Sequence, residues 1–591
     1  STGPTVFSCI HGGEDYDARL EQPGWSAAGF DDSDWGWSGF DGEPGGVFRA
    51  QTAAPQKVME IIPTVAMPRP EGALPIYEFE KNFAGWPKVR VRGKAGTSIR
   101  LRTSESLDAQ GELDTTSVLG PGYEGEGISF GYTLKGDGIE EWHPRFSYTG
   151  FRYVEVTIEG EAEILDIEGQ FVHSATPRAG QFTSSSSLFN RIDELVDNAV
   201  RSNFQAVLTD CPHREKLGWQ EVGHLMGPSM LYNYDAEHFF EKIVMDTAEA
   251  QLTNGLVPDV CPEYTVFRGP YRDSPEWGSS TVILPWMLYR WRGDVQILKK
   301  NYSTMVRYVD YLTSTADQHI VMHGLGDWYD IGPGHPGPSK LTPQGLTGTA
   351  TYYHDLTLLA KTAELLGKTD DAARYASLAK QVAQRFNEVF FDADNNYYGS
   401  GSQAAQAMPL VFGMVPDAHR ESVIRQLVHD VESRGDQQTA GDVGFRYLIR
   451  ALTDVGRSDL LYRMNTRTNE PSYGCMIKNG VTSLAEAWDG NPLQSQNHCM
   501  LGHIQEWFMS GLVGIDQEDD SIGFERIVIR PAVLQGLEKV SGYYESVRGR
   551  IESEWAVEGD SFTLRVQIPV NSTARVYLPS GYVSAEANCL E

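Results

Sequence analysis

Several features that mark common protein classes are missing from this sequence. None of its six cysteines forms a Cys-x-x-Cys pair, so the spacing fits neither a zinc site nor a disulfide framework. We therefore predict free thiols, mostly buried, and no metal site. No stretch of about 18 apolar residues occurs, which argues against a transmembrane helix. The glycines of Gly324-Leu-Gly-Asp lack the rest of a dinucleotide fingerprint, so no phosphate-binding glycine loop is predicted.

Positive charge is also scarce. The 49 Lys and Arg residues against 80 Asp and Glu residues give a formal net charge of −31. Binding to nucleic acid or to anionic membranes needs basic patches, so we expect neither partner. An adaptation for solubility explains the acidity more simply. The chain starts at Ser1-Thr-Gly-Pro, and we expect a signal peptide to be either absent or already removed. We favour a secreted or periplasmic location over a cytoplasmic one.

The length of 591 residues exceeds what one core holds and suggests about three to five folding units. Alternating apolar residues and frequent Gly and Pro in the first 180 residues are typical of β structure. Within Phe151–Ile158, for example, Val154 and Val156 share one face with Ile158. We predict an N-terminal β-sandwich region over residues 1–180, with a possible division into two β subdomains near residues 50–60.

The hydrophobic period changes after Thr183–Ser187, which we interpret as a linker and helix start. Helical spacing then recurs to about residue 515, and Leu356–Leu366 with Ala372–Phe386 predicts an αα-hairpin. Repeated hairpins with polar, aromatic loops between them favour an α/α toroid over residues 181–515, with its loops converging at one end. Alternation returns afterwards and predicts a C-terminal β-sandwich over residues 516–591.

One segment, Leu208–Glu221, concentrates chemically active side chains directly after a stretch with helical spacing. These side chains are Asp210, His213, Arg214, Glu215, Lys216, Trp219 and Glu221. Pro212 and Gly218 argue against a continuous helix, and loops at the ends of rigid elements commonly carry catalytic groups. An ordinary solvated loop has a similar composition. A second carboxylate–aromatic cluster at Ala485–Gly490 favours an active site.

The two clusters resemble the signatures of the α-L-rhamnosidases of glycoside hydrolase family 78. The resemblance is carried by Asp210-Cys-Pro-His-Arg-Glu-Lys-Leu-Gly-Trp219, Thr482-Ser-Leu-Ala-Glu-Ala-Trp-Asp-Gly490 and Asn497-His-Cys-Met-Leu-Gly502. Motifs at Gly13–Glu21, Gly29–Trp35 and Phe146–Tyr153 support it, so it covers nearly the whole chain. The chain departs from the family's commoner form in having Glu215-Lys216 in place of Asp-Glu-Arg. It also lacks the usual acidic residue at position 222.

Carried over residue by residue, the resemblance implies that Glu215 is the general acid and Glu486 the general base. It implies an exo-acting enzyme that removes terminal α-L-rhamnose from plant or algal oligosaccharides and polysaccharides, with inversion and without a cofactor. The implied fold is multidomain, with an (α/α)6 barrel flanked by N-terminal and C-terminal β-sandwiches. An inverting glycosidase holds its two carboxyl groups roughly 6.5–9.5 Å apart across one pocket.

Ten further residues are predicted to bind the sugar, because hydroxyl groups need polar partners and a sugar ring needs an apolar wall. They are Asp210, Arg214, Trp219, Glu221, Glu276, Trp277, Asp327, Trp328, Trp488 and His498. Several lie in loops rich in Trp, Asp and Gly, such as Ser274–Gly278 and Gly324–Trp328. Core packing is the alternative for the tryptophans, Glu276 and Asp327. We interpret His224, His354 and Glu506 as structural.

Two other functions fit the same residues. A polysaccharide lyase on this scaffold would cleave a rhamnose–uronate linkage by β-elimination. It would use positive groups such as His213, Arg214 and Lys216 to neutralise the uronate. A non-catalytic carbohydrate-binding protein would have lost its site, and the presence of both Glu215 and Glu486 argues against it. The sequence leaves the oligomeric state open.

Overall fold

The predicted order of a β region, a helical region and a second β region is confirmed. The structure, a computed structural model, describes residues 3–37, 39, 42, 45–119, 127–579, 581 and 582. Helices occupy most of the chain from Ser187 to Val513, and strands dominate on either side. None of the helices in this described part combines the length and the apolar character that crossing a lipid bilayer requires.

The N-terminal region is built on one nine-stranded sheet. Its strands and the small elements between them are β1 (Thr5–Cys9), β2 (Gly13–Asp17), a 3-10 turn (Ala18–Leu20), β3 (Gln56–Ala66), β4 (Ile76–Gly93), β5 (Ser98–Ser104), β6 (Ser106–Leu107), β7 (Leu113–Asp114), α1 (Thr116–Leu119), β8 (Ser129–Thr133), β9 (Ile139–Trp142), β10 (Thr149–Glu159) and β11 (Ala162–Ser174). The order is β1-β2-β8-β5-β10-β4-β11-β3, with β9 on β4 and a separate β6–β7 pair. Strands before and after residues 50–60 therefore share this sheet.

The long strand β4 changes partners along its length. Its first half pairs with β10 and its second half with β11. Gly85 lies at the change, where a Cβ atom would stand 1.9 Å from the carbonyl oxygen of Gln170, so only glycine fits. Both halves of β4 contribute to a single core cluster, through Phe79 and Val89. The N-terminal region thus has a core of its own.

The helical region contains helices of very different lengths. They are α2 (Ser187–Asn203), α3 (Glu221–Leu225), α4 (Gly227–Asn233), α5 (Glu237–Ala250), α6 (Pro275–Gly278), α7 (Ser280–Arg292), α8 (Gln296–Thr315), α9 (Gln344–Leu365), α10 (Thr369–Phe390), α11 (Gln403–Phe412), α12 (Asp417–Ser433), α13 (Asp442–Asp454), α14 (Ser458–Asn465), α15 (Tyr473–Lys478) and α16 (Ile504–Trp507). A 3-10 turn (Gly269–Tyr271), the β13–β14 pair (Phe391–Asp392 and Tyr397–Tyr398) and a π-helical turn (Phe508–Val513) complete the region. The α9–α10 hairpin is as predicted. The stretch Ser274–Gly278 is a helical turn where a loop was expected, because Pro275 occupies the first helical position.

The C-terminal region forms two small sheets. Its strands are β12 (Gly180–Ser184), β15 (Ile515–Gln517), β16 (Arg526–Ile529), β17 (Lys539–Ser546), β18 (Gly549–Glu558), β19 (Ser561–Gln567) and β20 (Thr573–Val576). The orders are β12-β17-β18-β19 and β15-β16-β20. The expected linker at Thr183–Ser187 is instead the end of β12 followed by the N-cap of α2, since the hydroxyl of Ser186 accepts a hydrogen bond from the Phe189 backbone N–H.

The C-terminal sheets and the helical region share one core. Val540 and Trp555 belong to the same cluster as Ile192 and Trp507, and the Trp555 indole donates to the carbonyl of Leu512 at 2.8 Å. The cysteines follow the prediction within the described part of the chain, where Cys9 is exposed and the other four are buried, all of them free. Cys589 lies outside the described residues.

Candidate active site

The loop between α2 and α3 closes on itself through two hydrogen bonds. Asp210 accepts a hydrogen bond from the Leu217 N–H at 2.9 Å with Oδ1, and its own N–H donates to the Leu217 carbonyl at 3.0 Å. Lys216 adopts a left-handed backbone, with φ of 56°. The side chain of Glu215 consequently faces a cavity, whereas that of Lys216 points to the N-terminal region.

A cavity of about 310 Å³ opens next to this loop. Its walls combine carboxyl groups with aromatic rings, and residues from distant parts of the chain line it. These are Asp210, Glu215, Leu217, Trp219, Glu221, Phe267, Tyr271, Trp277, Leu325, Trp328, Glu486, His498 and Met500. Glu215 and Glu486, which belong to the two sequence clusters, therefore face one space.

Arg214 connects these two carboxylates. Its Nη2 donates to Oε2 of Glu486 at 2.7 Å, and its Nε lies 3.6 Å from Oε1 of Glu215. The third side of the guanidinium donates to the carbonyl of Ser117, in the N-terminal region, at 2.9 Å. One cation thus holds both carboxylates at the same wall of the cavity.

Glu486 is held in its ionised form. Burial alone raises the pKa of its carboxyl, but Arg214, His498, the Ser495 N–H and the Tyr329 hydroxyl together lower that pKa below its usual range. Ser495 donates to Oε2 at 3.1 Å, and Tyr329 donates to Oε1 at 3.1 Å. These partners stabilise the charge. A carboxylate in this state can accept a proton.

Glu215 is more accessible than Glu486. Its side chain is 34% exposed, compared with 9% for Glu486, and its Oε2 accepts a hydrogen bond from the Trp219 indole at 3.1 Å. Burial, and then the charge of Glu215, raise the pKa of the neighbouring Asp210 well above its usual range. This shift favours the protonated form of Asp210, which can donate as well as accept a hydrogen bond.

One group near the cavity has the composition of a metal site. Asp210, Cys211 and Glu215 each place one ligand atom within 4.8 Å of the others. Burial raises the pKa of the Cys211 thiol well above its usual range, and a protonated thiol is a poor ligand. The charge of Arg214 beside Glu215 further disfavours a cation.

Aromatic rings form the apolar wall of the cavity. Trp219 packs against Phe267 with ring centroids 5.2 Å apart, and Trp328 meets Tyr271 edge-on at 6.0 Å. The indole N–H of Trp277 is buried without a hydrogen-bond partner. A sugar hydroxyl would satisfy it, since buried donors normally have partners.

Four of the predicted sugar-binding residues lie outside the cavity lining. Asp327 accepts hydrogen bonds from Gly441 and Gly444 at the start of α13 and so caps that helix. Trp488 packs edge-on against Phe445 and Tyr473 in the core.

The other two of these four have different surroundings. Glu276 is buried, and burial raises its pKa to about 7. Arg214 reaches the site only through the carboxylates that it binds.

Two basic residues of the loop between α2 and α3 point away from the cavity. Lys216 donates to the carbonyls of Ile10 and Tyr148 in the N-terminal region, and burial lowers its pKa to about 7. His213 is buried against Glu105, with Nε2 3.0 Å from Oε2. Both side chains join the loop to the N-terminal sheet.

Each of the three residues interpreted as structural contacts a partner within the protein. His224 donates to the carbonyl of Glu276 at 2.7 Å through Nε2 and Glu506 pairs with Arg446 at 3.2 Å. His354 stacks on Phe412 at 4.4 Å.

Sequence reasoning missed several residues of the site. Phe267, Tyr271 and Met500 line the cavity, and Tyr329 and Ser495 bind Glu486. Tyr329 directly follows the Asp327-Trp328 pair, so the same aromatic loop could have indicated it. Nothing in the local pattern marks Phe267 or Tyr271, which reach the cavity only through the fold.

Comparison with known proteins identifies the family of the chain. The family model for the bacterial alpha-L-rhamnosidase six-hairpin glycosidase domain matches residues 177–512, more than half of the chain. The chain belongs to the bacterial alpha-L-rhamnosidase family. The rhamnosidase N-terminal, concanavalin-like and C-terminal domain models match residues 1–60, 70–173 and 514–588.

Individual rhamnosidases are similar along nearly the whole chain. An alpha-L-rhamnosidase from Streptomyces avermitilis is 30% identical over 98% of this chain and 56% of its own length. One from Formosa agariphila is 29% identical over 98% of this chain and 63% of its own length. The solved alpha-L-rhamnosidase from Dictyoglumus thermophilum superposes with a TM-score of 0.93 at 31% identity, over 98% of this chain and 65% of its own. The chain thus spans about three fifths of these relatives.

Proposed function

We propose that this member of the rhamnosidase family is an exo-acting, inverting α-L-rhamnosidase. The observation that carries the proposal is the placement of Glu215 and Glu486 on one cavity, joined by Arg214. Glycoside hydrolysis needs one carboxyl group that protonates the leaving oxygen and another that activates water. The two glutamates differ in the exposure and charge environment that these tasks require.

Glu486 acts as the general base. Its lowered pKa keeps it ionised, so it can take a proton from a water molecule as that water attacks the anomeric carbon. Arg214 and Tyr329 orient both of its oxygens. The attacking water loses its proton to Glu486, and its oxygen forms the new bond to the sugar as the glycosidic bond breaks.

Glu215 acts as the general acid. Its partial exposure leaves it open to a leaving group that extends out of the cavity, and the Trp219 indole fixes one of its oxygens. In the acid form it transfers its proton to the glycosidic oxygen, and the aglycone departs as an alcohol. Proton exchange with solvent then restores the acid for the next turnover.

The remaining cavity residues hold the sugar. The raised pKa of Asp210 favours its protonated form, which can bind a sugar hydroxyl as donor or as acceptor. Burial lowers the pKa of His498 to about 4, so its ring is neutral. Its Nδ1 accepts from the Met500 N–H at 3.3 Å, which leaves the proton on Nε2 as a donor. Trp219 and Trp328 supply the apolar wall.

The substrate that we propose is a terminal α-L-rhamnosyl unit of a plant or algal oligosaccharide or polysaccharide. A cavity of about 310 Å³ lies at the small end of ligand pockets, which suits one sugar ring and therefore exo action. The similar Streptomyces avermitilis enzyme was solved in complex with L-rhamnose. That likeness supports rhamnose as the sugar in this cavity.

We extend the proposal to the architecture. The helical hairpins of residues 181–515 are proposed to close as an (α/α)6 barrel, whose loop end carries the cavity. Two β-sandwiches are proposed to flank it, over residues 1–180 and 516–591. The strand β12 pairs with β17, which supports a C-terminal sandwich that includes residues 180–184 as well.

The contacts of the three basic residues argue against the lyase alternative. β-Elimination would need positive groups free to neutralise a uronate carboxylate. Lys216 binds backbone carbonyls, His213 binds Glu105, and Arg214 is paired with Glu486. None of the three lines the cavity.

Proton NMR during hydrolysis of an aryl α-L-rhamnoside tests the proposal. The first anomer to form should be β-L-rhamnose, before mutarotation mixes the two forms. Retention of configuration would contradict the assigned mechanism, and no release of rhamnose from a panel of rhamnosides would contradict the activity. A parallel ultraviolet reading of an unsaturated uronate on rhamnose–uronate polysaccharides would reveal a lyase.

A further inference from the structure

The N-terminal β region contributes one carboxylate, Glu105, that binds residues next to the proposed active site. Glu105 follows directly after β5, and its side chain is completely buried, as is that of His213. Its Oε1 accepts from the Asn82 amide at 2.8 Å, and its Oε2 accepts from the Gln496 N–H at 3.0 Å. The same Oε2 lies 3.0 Å from Nε2 of His213. One carboxylate thus binds both segments that carry the site.

The bonds around His213 settle where its proton lies. The backbone N–H of Arg214 donates to Nδ1 at 2.6 Å, so Nδ1 acts as the acceptor of the ring. The proton is therefore on Nε2, which points at Glu105 and at the hydroxyl of Ser495, 3.0 Å away. With its proton on Nε2, His213 donates to Glu105. Glu105 thereby fixes the residue next to Arg214.

The segment on the other side leads to Glu486. Ser495 and Glu486 are bonded twice, since the Glu486 N–H donates to the Ser495 carbonyl at 2.9 Å and the Ser495 N–H donates to Oε2 of Glu486 at 3.1 Å. Gln496, whose N–H is held by Glu105, is the next residue. A shift of Gln496 would therefore move the donor that binds the carboxylate of Glu486.

We propose that Glu105 is a positioning residue for Glu486, acting through His213 and Arg214 on one side and through Gln496 and Ser495 on the other. The inference rests on the proposed role of Glu486 as the general base. It makes the N-terminal β region part of the catalytic machinery, because the geometry of the base depends on a side chain that the helical region does not supply. Catalytic groups must be held within about 0.5 Å of their working position.

The test compares Glu105→Ala with Glu140→Ala. Glu140 is a matched control, since it is also buried in the N-terminal region and accepts three hydrogen bonds, from Tyr132, Lys135 and Gly136. Glu105→Ala should lower kcat by about tenfold to a hundredfold, as displaced catalytic groups do, with little change in KM. The acid limb of kcat/KM should also move to higher pH, because Glu486 loses donors that stabilise its charge. Glu140→Ala should lower Tm alone.

A second readout does not require turnover. Carbon-13 NMR of glutamate-labelled protein, with Glu486→Gln to assign the resonance, should show Glu486 titrating at higher pH in Glu105→Ala. If the wild-type protein releases no rhamnose, the proposed function fails while this titration still tests the positioning. Equal behaviour of the Glu105 and Glu140 variants in both readouts would overturn the proposal. Should Glu105→Ala not fold, Glu105→Gln, which keeps one acceptor oxygen, should give a smaller shift in the same direction.

Discussion

Arg214 donates a hydrogen bond of 2.7 Å to Glu486, a residue 272 positions further along the chain. This pair joins the loop after α2 to the loop before α16, and it places the proposed base beside the proposed acid. Its consequences for activity and pH dependence can be measured.

Glu215→Gln should lower the turnover of natural rhamnosides by about 10²- to 10⁴-fold, which is the usual contribution of a general acid. Aryl rhamnosides with good leaving groups should lose much less, because their oxygen needs little protonation. Steady-state kinetics on both substrate types provides the measurement. An equal loss on both would count against the acid role, and Glu421→Gln, at a side chain 91% exposed, serves as a control.

Tyr329→Phe should shift the acid limb of the kcat/KM profile to higher pH. The Tyr329 hydroxyl donates to Oε1 of Glu486 and helps to lower the pKa of that carboxyl. Its loss raises this pKa, so a higher pH is needed to keep the base ionised. Activity should recover on the alkaline side of the profile. An unchanged limb would show that the hydroxyl does not tune the base.

Trp328→Ala and Trp488→Ala should have opposite signatures. Trp328 lines the cavity, so its loss should raise KM by about tenfold, equivalent to roughly 1.4 kcal/mol. Trp488 is packed in the core, so its truncation should destabilise the fold by about 3–5 kcal/mol while KM of the folded protein changes little. Kinetics and thermal melting together separate the two. Similar KM values for both variants would argue against sugar stacking on Trp328.

His224→Gln should relieve a loss of stability in acid. Burial lowers the pKa of His224 from 6.5 to about 3, so the unfolded chain takes up a proton that the folded protein refuses. The wild-type protein therefore loses stability as the pH falls below about 6.5, by about 1.4 kcal/mol per unit from this group. Gln keeps the donor to the Glu276 carbonyl, which His224 bonds at 2.7 Å.

The measurement for His224 is the difference in Tm between variant and wild type at pH 7 and pH 5. That difference should move in favour of His224→Gln at the lower pH. His238→Gln is the control, because the hydrogen bond that His238 donates to Glu241 raises the pKa of His238, and the sign of the effect is therefore reversed. A constant difference for His224→Gln would contradict the neutral buried ring.

The sequence allowed the order of the three regions to be predicted because helices and strands bury residues at different periods. Ile192 and Val196 follow one period and Val154 and Val156 the other, and all four are buried. The membership of Gly180–Ser184 in the C-terminal sheet was not predictable, since the partner strand lies more than 350 residues away. Short strands carry no signal for such distant pairing.

For the candidate site, too, some features could be predicted from the sequence and others could not. The clusters around Glu215 and Glu486 pointed to the cavity because carboxylates and aromatic residues recur together in two loops far apart in the chain. Lys216 looked like a cation of the site, yet its left-handed backbone turns it toward Ile10 and Tyr148. Asp327 looked like a ligand of the sugar and caps α13 instead. The direction of a side chain depends on backbone angles that the neighbouring residues in the sequence do not specify.

The pairing of β12 with β17 also sets an order of events at the ribosome. Residues 180–184 leave the tunnel long before residues 539–546 exist. At about 5–20 residues per second, the gap lasts on the order of a minute or less. Throughout that time the strand that precedes the first long helix has no partner, and the core shared by both regions stays open. The helical region can therefore complete its core only after the C-terminal strands have been synthesised.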